Sequence, residues 1–262
     1  MHREHGVSVR QACEAVGLPR STYRYERRRR HDQPVIDALS ALVEQHPAIG
    51  FWQAYYRLRL AGHAWNHKRV YRIYTAMRLN IRRRAKKRLP ARAKQRLFVP
   101  EAANEVWSLD FMHDSLWDGR PYRLLNVIDD FNRQVLWIEV DTSLPSLRVI
   151  RVLEALEESR GLPEMLRVDN GPEFMSHRLD VWCKSRGVTL AYIEPGKPTQ
   201  NGYVERLNGS LRRELLDAYV FRTLAEVREQ AEAWQHDYNH HRPHKSLGYQ
   251  PPLAVLPSSP VL

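Results

Sequence analysis

The sequence predicts an α/β domain, a sheet with helices on both faces, behind a basic all-α region that opens on a helix-turn-helix. Charge, periodicity and element order carry that prediction. The 262 residues have a formal net charge of +11, yet residues 1–100 hold 23 Lys+Arg against 6 Asp+Glu, while residues 101–262 hold 18 against 24. Apolar residues recur at helical spacing before Pro100 and in strand-like runs after it. Beyond Pro100 the order is three strands, a helix, a strand, a helix, a strand and further helices, the pattern of a layered α/β fold.

The charge asymmetry reads as a basic module that meets a polyanion, joined to a module with other work. Nucleic acid is the leading polyanion, because clustered Lys and Arg release counterions condensed on phosphates. A merely soluble basic surface is the plainer reading. No apolar run of roughly eighteen residues appears, so a membrane span is not expected. The N-terminus also lacks an apolar signal core. Cys13 and Cys183 are the two cysteines, which fits a reducing cytoplasm and argues against a disulfide scaffold.

Residues 8–25 read as two short helices about a turn. Ser8 with Gln11 makes a capping box, Gly17 ends the first helix, and Pro19 sits at the start of the second, which carries Arg20 and Arg24. Four arginines at 27–30 lead to a polar hinge at Pro34. Helices follow over 35–45 and 51–60. Asn66 caps a third, in which Val70, Ile73, Tyr74 and Met77 form a core stripe and Lys68, Arg69, Arg72 and Arg78 take the remaining circumference. Residues 82–96, with Arg83 and Lys86, form a second basic tract with few core-forming groups, a linker suited to contacting phosphate.

Strands are expected over 106–112, 122–128 and 134–140, each bounded by turn-forming residues. Residues 146–160 are helical, with Val149, Val152, Leu153 and Leu156 on one face, and Gly161-Leu-Pro163 stops them. A strand over 165–169, a helix over 177–186 and a strand over 189–193 come next. After a loop at 194–198, one long helix spans 200–218 and another 224–240, ahead of an irregular Pro-rich tail.

Three carboxylates stand out. Asp110 lies within a strand and shares a face with Ser108 and Met112. An acid there is poor in propensity and costly to bury, so it needs a partner, solvent or a metal. Asp169 ends a strand and opens Asp169-Asn-Gly-Pro-Glu-Phe174, where turn chemistry is the plain explanation and a site at the strand's C-terminal edge the functional one. Glu205 sits beside the stripe Val204, Leu207, Leu211 and Leu215, on the side where Asn201, Asn208 and Arg212 project. An acid near a helix N-terminus also has a bland role with the helix dipole. Together, three acids suit phosphodiester chemistry, in which two Mg²⁺ ions roughly 3.5–4 Å apart serve the attacking and leaving oxygens.

The triad, with thirty-five residues between Asp169 and Glu205, resembles the Asp-Asp-Glu signature of transposases and retroviral-type integrases. More specific words resemble the transposases of the IS-three family of bacterial insertion sequences. They are Asp118-Gly-Arg-Pro-Tyr-Arg123, Val127-Ile-Asp-Asp-Phe131, Pro195-Gly-Lys-Pro-Thr-Gln-Asn201, Glu205-Arg-Leu-Asn-Gly209, Asp237-Tyr-Asn and Arg242-Pro-His-Lys-Ser-Leu-Gly248. Asn66-His-Lys-Arg-Val-Tyr-Arg72 matches upstream, so the resemblance covers nearly the whole chain. Gly202, where alanine is more usual, and Phe51-Trp52 depart from the family pattern.

That resemblance implies an RNase H-like integrase core with a mixed five-stranded sheet, in the second reading-frame product of an insertion sequence. It divides the chain into a helix-turn-helix-like segment (1–32), a helical DNA-binding region (33–81), a basic linker (82–100), the catalytic core (101–221) and a C-terminal helix with a Pro-rich tail (222–262). It implies Mg²⁺ as cofactor, two ions held by Asp110, Asp169 and Glu205, with Mn²⁺ as a substitute. The implied partners are DNA, at element ends and at the target, a first-frame product or frameshift fusion, and further copies of the chain on DNA. Lys197, Asn201, Asn208 and Arg212 are candidates for orienting phosphates or the acids. Asp129, Asp130 and Glu173 are rival acids, expected at a strand end and a turn. His236, His240, His241 and His244 lack accompanying cysteines, so packing or DNA contact is expected over zinc. A repressor or scaffold with an inactive acidic site, or a stand-alone nuclease, are the other functional classes. The basic preface favours the transposase over the nuclease.

Overall fold

Five strands make one mixed sheet in the order β3-β2-β1-β4-β5. The structure is a computed structural model that describes residues 6–25, 31–80, 100–194 and 198–255. β1 (Val106–Ser115) is central, antiparallel to β2 (Pro121–Asp129) and parallel to β4 (Met165–Val168). β3 (Val135–Asp141) extends one side antiparallel, and β5 (Thr189–Tyr192) the other in parallel. β2 is buried almost throughout, as expected of a strand covered on both faces.

One face, with Trp107, Leu109, Leu125 and Val127, packs against α6 (Ser146–Arg160) and α7 (His177–Ser185). The other face, with Met112, Leu124, Ile128 and Val135, lies under α8 (Gly202–Leu211) and α9 (Leu224–His241). Side chains alternate along β1, so Asp110 falls on the α8 face with Ser108 and Met112.

The expected single helix over 200–218 differs in detail. A 3₁₀ turn at Pro198–Asn201 leads into α8, and a π-turn at Arg212–Leu216 follows it. Leu215 and Leu216, both buried in the core, lie in that wider turn.

α9 does more than pack. β3 is an edge strand, and α9 side chains satisfy its outer backbone groups. The Val135 N–H donates to Asn239 Oδ1 at 2.9 Å, and Asn239 Nδ2 donates to the Val135 carbonyl at 2.8 Å. Gln235 Nε2 donates to the carbonyls of Val135 and Leu136. The segment after residue 221, set apart in the sequence reading, thus completes the core.

Before the sheet, α1 (Val9–Ala15) starts on the Ser8–Gln11 capping box and α2 (Arg20–Tyr23) follows a turn. α3 (Gln33–Gln45), α4 (Phe51–Leu60) and α5 (His67–Ala76) share a core of Val35, Leu39, Ala54, Leu58, Val70 and Ile73. Asn66 caps α5 through the Lys68 N–H at 2.8 Å. This bundle docks on α9 and the segment just after it: Arg57 donates to Asp237 at 2.8 Å, and Gln53 to the Pro243 carbonyl at 3.1 Å. Among the described residues no helix is long and apolar enough to cross a membrane.

Asn239→Ala orphans the buried Val135 N–H, so urea denaturation should give a loss of about 1–3 kcal/mol. A change below about 0.5 kcal/mol, the size typical of surface substitutions, would show that the edge does not need its helix.

Candidate active site

Asp110 sits mid-strand on β1, opposite Asn126 of β2. The Phe111 N–H donates to its Oδ1 at 2.8 Å, and Asn208 Nδ2 of α8 donates to its Oδ2 at 2.8 Å. Asn208 is itself oriented, because Asn126 Nδ2 donates to Asn208 Oδ1 at 2.7 Å. Two amides therefore run in series from β2 through α8 to the carboxylate. A second tie joins the same elements: Asn201, 3% exposed, donates to the Leu109 carbonyl at 3.2 Å. Together these fix α8, and with it Glu205, against β1.

Asp169 follows β4 directly. Its Oδ1 accepts the Gly171 N–H at 3.0 Å, closing the Asp169-Asn-Gly turn. A Cβ at Gly171 would stand 2.9 Å from that Oδ1, so the carboxylate keeps its place only beside glycine.

Burial comes first in pushing the Asp110 carboxyl up to about 6; the charges of Asp169 and Glu205 add to it, against the two hydrogen bonds that favour ionisation. Burial also raises Glu205. The three acids thus share one electrostatic locality. None of them forms a salt bridge to Lys or Arg among the described residues. The rivals do: Asp129 faces Arg160 at 3.3 Å, Asp130 faces Arg167 at 2.6 Å, and Glu173 pairs with Arg123. Asp129 and Asp130 are fully buried, which a mere strand end would not require. Among the described residues no three His, Cys, Asp or Glu side chains already close into a metal cage.

Residues 100–198 and 186–252 each match a family model described as an integrase core domain. The chain is 41% identical over 247 residues to a protein of insertion element IS407 from Burkholderia multivorans, covering 94% of this chain and 89% of that one. It belongs to the IS-three family of insertion-sequence transposases, as a chain of the second-frame type. A protein of insertion element IS476 from Xanthomonas euvesicatoria is 37% identical over 250 residues, covering 94% and 71%. The fold is shared with a chain in the cryoEM structure of the simian T-cell lymphotropic virus intasome with a PP2A regulatory subunit, at a TM-score of 0.56 and 21% identity over 86% of this chain and 76% of that one.

The remaining candidates of this transposase fall into distinct groups. Arg20, Arg24 and Lys68 are exposed. Arg69 and Arg72 instead turn toward Asp32, at 3.4 and 2.7 Å, and hold the start of α3. Arg212 bonds the His113 carbonyl at 2.6 Å and pairs with Asp114, which anchors the π-turn to β1. Asn201 is buried in its bond to Leu109. Arg83, Lys86 and Lys197 lie outside the described residues. Sequence reasoning missed Asn126 and Gly171. Asn126 had a signal, an amide within the apolar run Leu124-Leu-Asn-Val-Ile128.

A folded pKa raised above the usual 3.8 means that ionised Asp110 costs stability above about pH 6, and that the cost vanishes below about pH 4. In EDTA, Asp110→Asn should therefore be more stable than wild type at pH 8 by about 1–3 kcal/mol, with the gap closing toward pH 4. Equal stabilities at pH 8 would mean that the site carries no such stress.

Proposed function

We propose that this chain is the catalytic subunit of an insertion-sequence transposase that nicks one DNA strand at each element end and joins the freed 3′-hydroxyl to a second phosphodiester. The observation that carries the reading is the set of three carboxylates, Asp110, Asp169 and Glu205, in an integrase-type core, none of which forms a salt bridge to Lys or Arg among the described residues. Their all-oxygen donor chemistry suits Mg²⁺, and a cation would offset both the burial that chiefly raises Asp110 and the charges of Asp169 and Glu205 that add to it. Asp110 would serve both of two ions, with Asp169 and Glu205 completing one each. When bound, such ions activate an attacking oxygen and stabilise a leaving one.

The chain's own residues supply position. Asn208 keeps the Asp110 carboxylate aimed and ionisable, and Gly171 leaves room for Asp169. Strand transfer by direct transesterification needs no nucleophilic side chain, and the two cysteines fit that, since both are buried and burial raises the Cys183 thiol to about 11. DNA is the polyanion that the basic first hundred residues suit. A first-frame product, or a frameshift fusion with it, would add recognition of the element ends, and the joined ends imply more than one copy of the chain on DNA.

Purified chain, with and without the first-frame product, should nick and join duplexes carrying the element's ends in Mg²⁺. Glu205→Gln and Asp169→Asn should each lower joining at least about 100-fold with duplex binding retained. Joining that survives Glu205→Gln would remove Glu205 from the site. Binding by wild type without any cutting, even with the first-frame product, would support a repressor instead.

A further inference from the structure

The turn that carries Asp169 is held from two sides. On the β5 side, Asn170 Nδ2 donates to the Ile193 carbonyl at 3.0 Å, and the Tyr192 hydroxyl donates to the Phe174 carbonyl at 2.9 Å. Within the turn, the Phe174 and Met175 N–H groups both donate to the Gly171 carbonyl at 3.0 Å. On the other side stands Arg123 of β2, whose guanidinium pairs with Glu173.

That pair crosses a strand. β1 lies between β2 and β4, so Arg123 reaches over β1 to the turn beyond β4. Strands about 4.8 Å apart put β2 and β4 roughly 10 Å from each other, a span that needs two long side chains. Phe111 of β1 lies beneath the crossing. Its ring carries the Arg123 guanidinium at 4.5 Å from the centroid and the Phe174 ring at 4.9 Å. Arg123 is in register with His113, two residues from Phe111, so Arg123 and Phe111 share the α6–α7 face. Asp110 stands on the opposite face, and the Phe111 N–H bonds its carboxylate at 2.8 Å. These contacts join the Asp110 step of β1 to the Glu173–Phe174 step of the Asp169 turn, from behind the acids.

The pair is well enclosed. The Arg123 and Glu173 side chains are 21% and 18% exposed, and Phe174 is fully buried. An ion pair this enclosed is often no more stabilising than an apolar pair. What it adds is direction, because a guanidinium seated over a ring and bonded to a carboxylate has a fixed fork geometry. It also settles a conflict of charge. Asp169 Oδ1 and Glu173 Oε2 stand 2.9 and 3.5 Å from one point, the place a Cβ would take on Gly171. Two carboxylates approach each other there, and Arg123 neutralises one of them.

We propose that Arg123 and Glu173 are positioning residues that set the Asp169 turn against the Asp110 strand, at the spacing where both acids can share a cation. Neither touches the reacting atoms. The inference rests on the reading of the three acids as a cation site.

The test uses the full chain and reads the turn and the cation separately. Hydrogen exchange in EDTA reads the turn. Glu173→Gln and Arg123→Lys should each speed exchange of the Gly171 and Phe174 amides at least about 10-fold, with the β3 amides unchanged. Titrating Mg²⁺ while following Tm reads the cation. Both variants should need about 10- to 100-fold more Mg²⁺ for half of the rise, the usual cost of losing a residue that orients a metal ligand. Strand joining should return at high Mg²⁺ in both variants, and not in Asp169→Asn. Arg148→Gln, which breaks ion pairs to Glu139 and Asp141 on β3, should lower Tm without moving the Mg²⁺ midpoint. Arg123→Lys keeps the charge, so it decides the matter if Glu173→Gln fails to fold. A lower Tm in both variants, with the turn amides and the Mg²⁺ midpoint unchanged, would reduce the pair to an ordinary fold contact and overturn the proposal. A midpoint raised by Glu173→Gln and unchanged by Arg123→Lys would overturn it too, since Glu173 would then act on the cation without Arg123. If Mg²⁺ leaves the wild-type Tm unmoved, the cation reading fails, and the turn amides still judge whether the pair sets the turn.

Discussion

The structure turns on one contact, the hydrogen bond from Asn208 on α8 to the Asp110 carboxylate on β1. It places a helix-borne amide against a half-buried acid, with Asn126 behind it setting which way the amide points. A strand acid with two like-charged neighbours is unfavourable on its own. The same bond that makes ionisation tolerable also fixes how α8 lies on the sheet. Because Glu205 is three residues before Asn208, the carboxylate positions follow from the helix placement. Asn201 and Arg212, bonded to the Leu109 and His113 carbonyls, hold the helix at its two ends.

Much of the remaining architecture serves that arrangement. α9 covers the outer edge of β3 and supplies the backbone partners that a neighbouring strand would give. Its far end receives the helical bundle through Arg57 and Asp237. The charge pattern separates two kinds of acid. Asp129, Asp130 and Glu173 are neutralised by arginines and hold the fold. Among the described residues Asp110, Asp169 and Glu205 form no salt bridge to Lys or Arg.

The fold class was legible because it depends on local patterns, and the three acids stood out as candidates for the same reason. An acid in an apolar strand, an Asp-Asn-Gly turn and an amphipathic helix are each visible within a few residues. Partnerships across long separations were not. Arg69 and Arg72 read as candidate phosphate ligands; they also meet Asp32, some forty residues away, and no local pattern announces that pairing. The π-turn at 212–216 was hidden because Leu215 already fits the helical stripe of Val204, Leu207 and Leu211, so nothing in the apolar pattern marks the wider turn. The two buried arginine pairs of Asp129 and Asp130 were hidden for the same reason as Asp32, since their partners lie on α6 and β4.

The amide relay is tested most directly by a double-mutant cycle on strand joining with Asn126→Ala, Asn208→Ala and the pair together. If Asn126 acts by orienting Asn208, losing both should cost little more than losing Asn208 alone, leaving a coupling of at least about 1 kcal/mol. Losses that simply add would show that the two amides act independently, and would contradict a relay that sets the helix and the acid together.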